Sequence, residues 1–222
     1  RHARGEPFEL SHLPMPGGAE VALELRPVGV LAAGARGQVV RDDGRVETLT
    51  PRVRCFAGRV RGGGSAFLGL TPEAAHGYLE FGGELFFLSS DARAPGQVTL
   101  VRAEASGLGG TPFCALEEDA RTTSAPSVPA NSERALVPLL RTAELFVEAD
   151  DAFRARFTSS QACFDYVVLL FTAASEVYRR DLGVRLVIPD QYLRVWDTTP
   201  PWGAITDFSD LSNVYGWWQS AA

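Results

Sequence analysis

Lysine is missing from this sequence: all 21 basic residues of the 222 are arginine, set against 27 acidic residues for a net charge of −6. The arginines are dispersed apart from a loose group between Arg52 and Arg61. No broad basic face is present to neutralise phosphates, so nucleic acid is not expected as a partner. Long apolar runs are missing too. The longest, Tyr166 to Ala174, is interrupted by Thr172 and falls short of the ~20 residues that cross a bilayer, so no membrane span is expected. Cysteine is scarce: Cys55, Cys114 and Cys163 are too few for a disulfide scaffold, and an odd number leaves at least one thiol unpaired within the chain. No Cys-x-x-Cys spacing occurs, and the three histidines, His2, His12 and His76, are scattered with no partner at i+4. The Asn-x-Ser/Thr sequon is absent, as are an initiator Met and an apolar leader before Arg1. The expectation from that start is a signal segment already removed.

What is present is 45% hydrophobic and 22% charged, the composition of a folded chain long enough for two small units. Residues 18 to 105 read as short strands. Ala19 to Leu25 alternates, as does Gly96 to Val101 in part, and turn signals stand at Gly34–Gly37, Asp42–Gly44, Gly62–Gly64 and Gly82–Gly83. The Gly62–Ser65 turn lacks the Lys-Ser/Thr and helix of a phosphate loop and is expected to be a hairpin turn. From Glu117 to Pro138 the chain is polar and rich in Pro and Ser with no apolar period, the pattern of an exposed linker open to proteolysis, with Arg121 and Arg134 as processing sites.

After the linker the pattern is mixed. Thr142 to Glu148 predicts a strand. Gln161 to Arg180 predicts a helix with Cys163, Tyr166, Val167, Leu170, Ala174 and Val177 on its apolar face, capped by Ser159 or Ser160 and stopped by Gly183. Val184–Ile188 and Tyr192–Trp196 predict two further strands, and Phe208–Gln219 a second helix. Glu148, Asp150 and Asp151 read as a hydrated acidic group near the strand end. The expected organisation is a β-rich unit over residues 1–116, a linker over 117–138, and an α/β half-domain over 139–222.

Three blocks carry a family resemblance. Arg141-Thr-Ala-Glu-Leu-Phe-Val-Glu-Ala-Asp150, then Glu176-Val-Tyr-Arg-Arg-Asp-Leu-Gly-Val-Arg-Leu186, then Tyr192-Leu-Arg-Val-Trp196 resemble, in order and spacing, the opening of the catalytic domain of reprolysin (adamalysin) type zinc metallopeptidases, which are metzincins. Tyr215-Gly-Trp-Trp218 is similar to the next family helix. Upstream, Cys55-Phe-Ala-Gly-Arg-Val60, Ser65, Gly77-Tyr-Leu-Glu-Phe81 and Glu84-Leu-Phe-Phe87 resemble the propeptide of the same family.

The resemblance implies an α+β chain overall: an N-terminal all-β propeptide-like domain followed by the N-terminal part of an α/β metzincin-type catalytic domain. It implies a precursor segment of a secreted or extracellular endopeptidase, cell-surface forms included, acting on protein substrates. Its partner would be the downstream catalytic half, in the same gene product or as a second chain. The family's H-E-x-x-H-x-x-G-x-x-H helix does not occur in these residues. Zinc ligands and the water-activating Glu are therefore expected outside them, and this chain alone is not expected to be active. Cys114 stands where the propeptide's inhibitory thiolate would fill the open position on zinc, although its context is Cys-Ala-Leu; a buried thiol or a disulfide with Cys55 is the alternative. Glu144 matches the family's first-strand glutamate, which can contribute to a calcium site, although one carboxylate is no site by itself. The Trp residues at 196, 202, 217 and 218 are expected to leave some apolar surface uncovered in a half-domain. The alternative function is a non-catalytic extracellular binding or structural protein reusing this scaffold.

Overall fold

A computed structural model gives the fold of residues 6–72, 74–90, 97–104, 140–203 and 211–221. The first hundred residues form β1 (Phe8–Pro14), β2 (Glu20–Val28), β3 (Gly37–Val40), β4 (Val46–Leu49), β5 (Arg54–Val60), β6 (Ser65–Leu70), β7 (Ala75–Phe81), β8 (Glu84–Ser90) and β9 (Val98–Arg102). All but β3 and β4 join one antiparallel sheet in the order β1-β2-β5-β6-β7-β8-β9. Its hairpins are short because the turn chemistry allows it: Gly62, Gly63 and Gly64 all sit at φ near +100° between β5 and β6, a conformation side chains with a Cβ resist. Alternation supplies the inner face, with Leu23, Leu25, Val60, Leu79 and Phe86 buried together.

The remainder forms β10 (Arg141–Glu144), β11 (Val147–Ala149), α1 (Asp151–Arg154), α2 (Ser160–Leu182), β12 (Val184–Val187), β13 (Leu193–Trp196) and α3 (Leu211–Ala221). The single strand expected over 142–148 is divided at Leu145 and Phe146. Its first part, β10, pairs in parallel with β12, and its second, β11, in parallel with β13. The division lets one stretch of chain serve two neighbours. Leu145 N still donates to Val187 O at 2.8 Å, whereas Val147 N donates to Tyr192 O at 2.8 Å.

The two regions interlock. β13 pairs in parallel with β3, and β3 pairs antiparallel with β4, giving a sheet of order β11-β13-β3-β4. The expected linker over 117–138 lies outside the described residues; the strands before and after it share this sheet and its core. Strands outweigh helices, and the class is α+β as expected.

Helix α2 lies between the sheets. Its caps are those the sequence announced: Ser159 accepts from Ala162 N, Gly183 adopts φ 65°, and Arg179 and Arg180 occupy the last turn. Cys163, Phe164, Val167 and Val168 pack on Val39, Val147, Leu186, Ile188, Leu193 and Val195. About half a turn round the helix, Leu169 packs on Cys55, Ala57 and Phe67 of the seven-stranded sheet, with Ala173 alongside. One expectation is corrected here. Leu170 is 47% exposed, because a helix with two buried faces leaves its solvent stripe in the gap between them. The expected apolar face holds at Cys163 and Val167, which are buried, and fails at Leu170, which lies in that gap.

Phe164→Ala should therefore cost about 3–5 kcal/mol in denaturant unfolding, as for other buried aromatics truncated in place. Leu170→Asp should stay within ~0.5 kcal/mol of the parent chain. A large loss from the second change would put α2 in the wrong orientation.

Candidate functional site

Between β2 and β5, adjacent strands of one sheet, the chain makes an excursion over residues 29–53. This arm reaches the parallel strands and is fastened along its length. Ile188 N donates to Val30 O at 2.8 Å, and Ala32 N donates to Ile188 O at 2.9 Å. Arg36 N donates to Asp190 Oδ1 at 2.8 Å, and Gln191 N donates to Arg36 O at 2.8 Å. β3 then runs along β13 with Gln38, Val39 and Val40 opposite Arg194, Val195 and Trp196. At the far end Asp165, 1% exposed on α2, accepts from the backbone N of Arg52 at 2.8 Å and of Val53 at 3.4 Å. A carboxylate so deeply buried is tolerated because these amides, Arg52 Nε at 3.1 Å and Gln161 Nε2 at 3.2 Å satisfy it.

Where β3, β13, α1 and the start of α2 converge, Asp197 collects charge. It accepts from Arg154 Nε at 2.6 Å, from Ser160 Oγ at 2.7 Å and from Arg41 Nη1. Burial alone would raise its pKa, but the hydrogen bonds from Ser160 and Arg41 and the charge of Arg154 outweigh burial and hold it below the usual carboxylate value. Arg41 also donates to Glu47 Oε2 at 2.6 Å. The shallow cleft beside this cluster, about 400 Å³, is lined by Arg41, Asp42, Asp151, Arg154, Ala155 and Asp197. Ser160 has a carboxylate partner here and, among the described residues, no histidine beside it; its hydroxyl serves to join α2 to the residue after β13. A larger cleft, about 770 Å³, opens between the seven-stranded sheet and the end of α2. It is spanned by ion pairs, Arg26 with Glu176 at 3.1 Å and Arg180 with Glu80 at 2.7 Å.

On the other side of β11 and β13 lies an aromatic face. Trp196, Trp202 and Trp217 are in mutual ring contact, with centroids 5.1–6.3 Å apart. The Arg194 guanidinium stands over Phe146, Trp196 and Trp217. Beneath them Glu148 accepts from Trp196 Nε1 at 2.6 Å and from Arg194 Nη1 at 3.3 Å. Burial pushes its pKa up to about 7, opposed by the Trp196 hydrogen bond and the charge of Arg194. The hydrated acidic group expected at 148–151 is therefore corrected. Glu148 is enclosed, Asp150 caps α1 by accepting from Phe153 N at 2.7 Å, and Asp151 accepts from Thr199 Oγ1 at 3.2 Å. The signal was in the strand period: Val147 and Ala149 face α2, which turns Glu148 to the opposite face. Trp196 and Trp202 are buried in this cluster, whereas Trp217 is only partly covered and leaves some of the apolar surface expected of the four exposed; the Trp218 side chain lies outside the described ones.

Of the residues singled out for chemistry, Cys114, Arg121 and Arg134 lie outside the described residues. Glu144 is exposed on β10, and no group of three or more His, Cys, Asp or Glu side chains gathers at metal-binding range among the described residues. Cys55 and Cys163 are buried free thiols, each pushed up to about 12 by burial and so unreactive. His76 is half-buried beside Tyr166, with its pKa lowered by burial, and His12 pairs with Glu20 at 2.8 Å on the surface. No helix among the described residues is long and apolar enough to cross a membrane. Comparisons with family models, with curated proteins and with solved structures find no match to this chain.

Glu148 gives the site a pH signature. Its folded pKa, about 7, stands above its ordinary 4.5, so the folded state holds a proton that the unfolded state has lost between those values. The resulting stabilisation is complete below pH 4.5 and is lost as pH rises through 7. Relative to the parent chain, Glu148→Gln should gain of order 1–3 kcal/mol on going from pH 5 to pH 8. Urea unfolding of both proteins at the two pH values measures this, and an unchanged difference rules it out.

Proposed function

We propose that this chain is the propeptide and the first half of the catalytic domain of a secreted zinc endopeptidase of the reprolysin type. The observation that carries the reading is where the three family-like blocks fall. Arg141 to Asp150 covers β10, β11 and the cap of α1. Glu176 to Leu186 covers the end of α2 and most of β12, and Tyr192 to Trp196 covers β13. Matching segments thus fall on strands that pair in parallel, β10 with β12 and β11 with β13, and on the end of the long helix between them.

In this reading the seven-stranded sheet and its arm are the propeptide, assisting folding and maintaining latency, and the elements after Arg141 are the first part of the catalytic domain. Zinc would be held by histidines outside these residues, with a Glu there taking a proton from the metal-bound water. Cys114 would supply the inhibitory thiolate, and Glu144 one oxygen of a calcium site completed elsewhere. Cleavage at Arg121 or Arg134 would be the processing step. Protein substrates follow from the reaction class.

The full-length gene product should cleave a generic protein substrate and lose that activity to a chelator, whereas these 222 residues alone should neither bind zinc tightly nor cleave. The reading fails if the uninterrupted gene carries no H-E-x-x-H or if the short chain shows chelator-sensitive turnover. A gene lacking that motif leaves the non-catalytic extracellular protein as the function.

A further inference from the structure

We propose that the β3–β4 hairpin is a strand donor that holds the two halves of the chain together as one particle after the backbone between residues 105 and 139 is cut, and that it reserves the edge of β13 against any other strand. The inference stands apart from the peptidase reading, since it uses only pairing, packing and charge.

Consider what such a cut separates. Every strand up to β9 falls in one piece, and every element from β10 onward in the other. Without the arm, β13 would present an unpaired edge of backbone N–H and C=O groups, the situation that recruits an added strand. β3 fills that edge in register, and Asp197 N donates to Val40 O at 2.9 Å just beyond it. The donated strand is packed in, not merely laid on. Val39 and its partner Val195 are both 0% exposed, in one core with Phe164 of α2. Gly37 lies so close to that helix that a Cβ there would run into the Phe164 ring and stand 2.9 Å from the Leu193 carbonyl oxygen. The arm is fixed along its length by carboxylates of the other piece: Asp190 holds Arg36 just before β3, Asp197 holds Arg41 just after it, and Asp165 holds Arg52 and Val53 after β4.

Cutting is therefore not release. Release requires the hairpin to be withdrawn from β13, and a strand extending the sheet past β13 has to displace it first. On the peptidase reading, latency would outlast processing whether or not Cys114 binds zinc.

The test uses the full chain in a Cys114→Ser background, with a site-specific protease sequence replacing residues 121–127. After cutting, the two pieces should elute together at the size of the intact 23.9 kDa chain. Backbone hydrogen exchange over residues 191–197 should stay as slow as before the cut. Gly37→Val should speed exchange over 191–197 at least tenfold in the cut protein, and an unchanged rate counts against the proposal. An independent arm does not depend on that variant folding. Gln38→Cys with Arg194→Cys places two thiols at paired positions whose parent side chains lie 3.4 Å apart. A short thiol crosslinker should then join the two pieces on a denaturing gel. Pieces that separate without denaturant overturn the proposal. So do pieces that stay together while residues 191–197 exchange freely and positions 38 and 194 fail to crosslink.

Discussion

The structure depends on a single helix having two apolar faces. α2 buries Phe164, Val167 and Val168 against the parallel strands and Leu169 against the antiparallel sheet. The parallel strands take one wall of their core from it, and it covers the face of the seven-stranded sheet that carries Cys55, Ala57 and Phe67. Fully burying one such helix side chain is worth ~1.5–3 kcal/mol, and the second face draws on partners about a hundred residues earlier in the sequence. The polar groups on the helix follow the same geometry. Asp165 is buried because it turns toward the arm and finds two backbone amides there. Ser175 is buried because it exchanges hydrogen bonds with Leu186 N and O at 3.0 and 3.2 Å, stitching α2 to β12.

Local features were legible and long-range ones were not. The caps at Ser159 and Gly183, the glycine hairpins and the strands after α2 all follow from interactions within a few residues, and the sequence placed each of them. Where the arm goes is a different kind of fact. Gln38-Val39-Val40 is short and apolar, and nothing in it distinguishes pairing with β2 or β5 from pairing with a strand more than 150 residues away. The same holds for α2. Period analysis finds the strongest single stripe, and a second buried face moves the true solvent stripe onto Leu170. Charge misled for a related reason. Glu148, Asp150 and Asp151 look like one hydrated run, yet strand alternation and a helix start give the three carboxylates three separate tasks.

Functional residues were less legible than the fold, because the chemistry implied by the resemblance depends on atoms brought from elsewhere. Glu144 is one exposed carboxylate on β10, and a hard cation needs several oxygens. What the described residues do gather is charge that fastens elements to one another. Arg41, Arg154, Ser160 and Asp197 come from β3's end, α1, α2 and the residue after β13. A cluster drawn from four elements specifies how they meet, and its stability contribution stays modest because its rim is open to water.

The arm also answers a question of size. β10 to β13 with α2 alone would be four very short strands under one helix, and so small a layer leaves much of its apolar surface in water. Val30, Val39 and Leu49 complete the core from the arm's side. β4 then becomes the outer strand of the sheet, with Val46, Glu47 and Thr48 all exposed and only Leu49 turned inward. An outer strand that is short and carries a charge is a poor template for further pairing. The arm thus exchanges an edge that would recruit strands for one that does not, and it does so only while it stays in place. On the reading proposed above, the same hydrogen bonds and the same buried valines would assist folding of the layer the arm completes and restrain that layer afterwards.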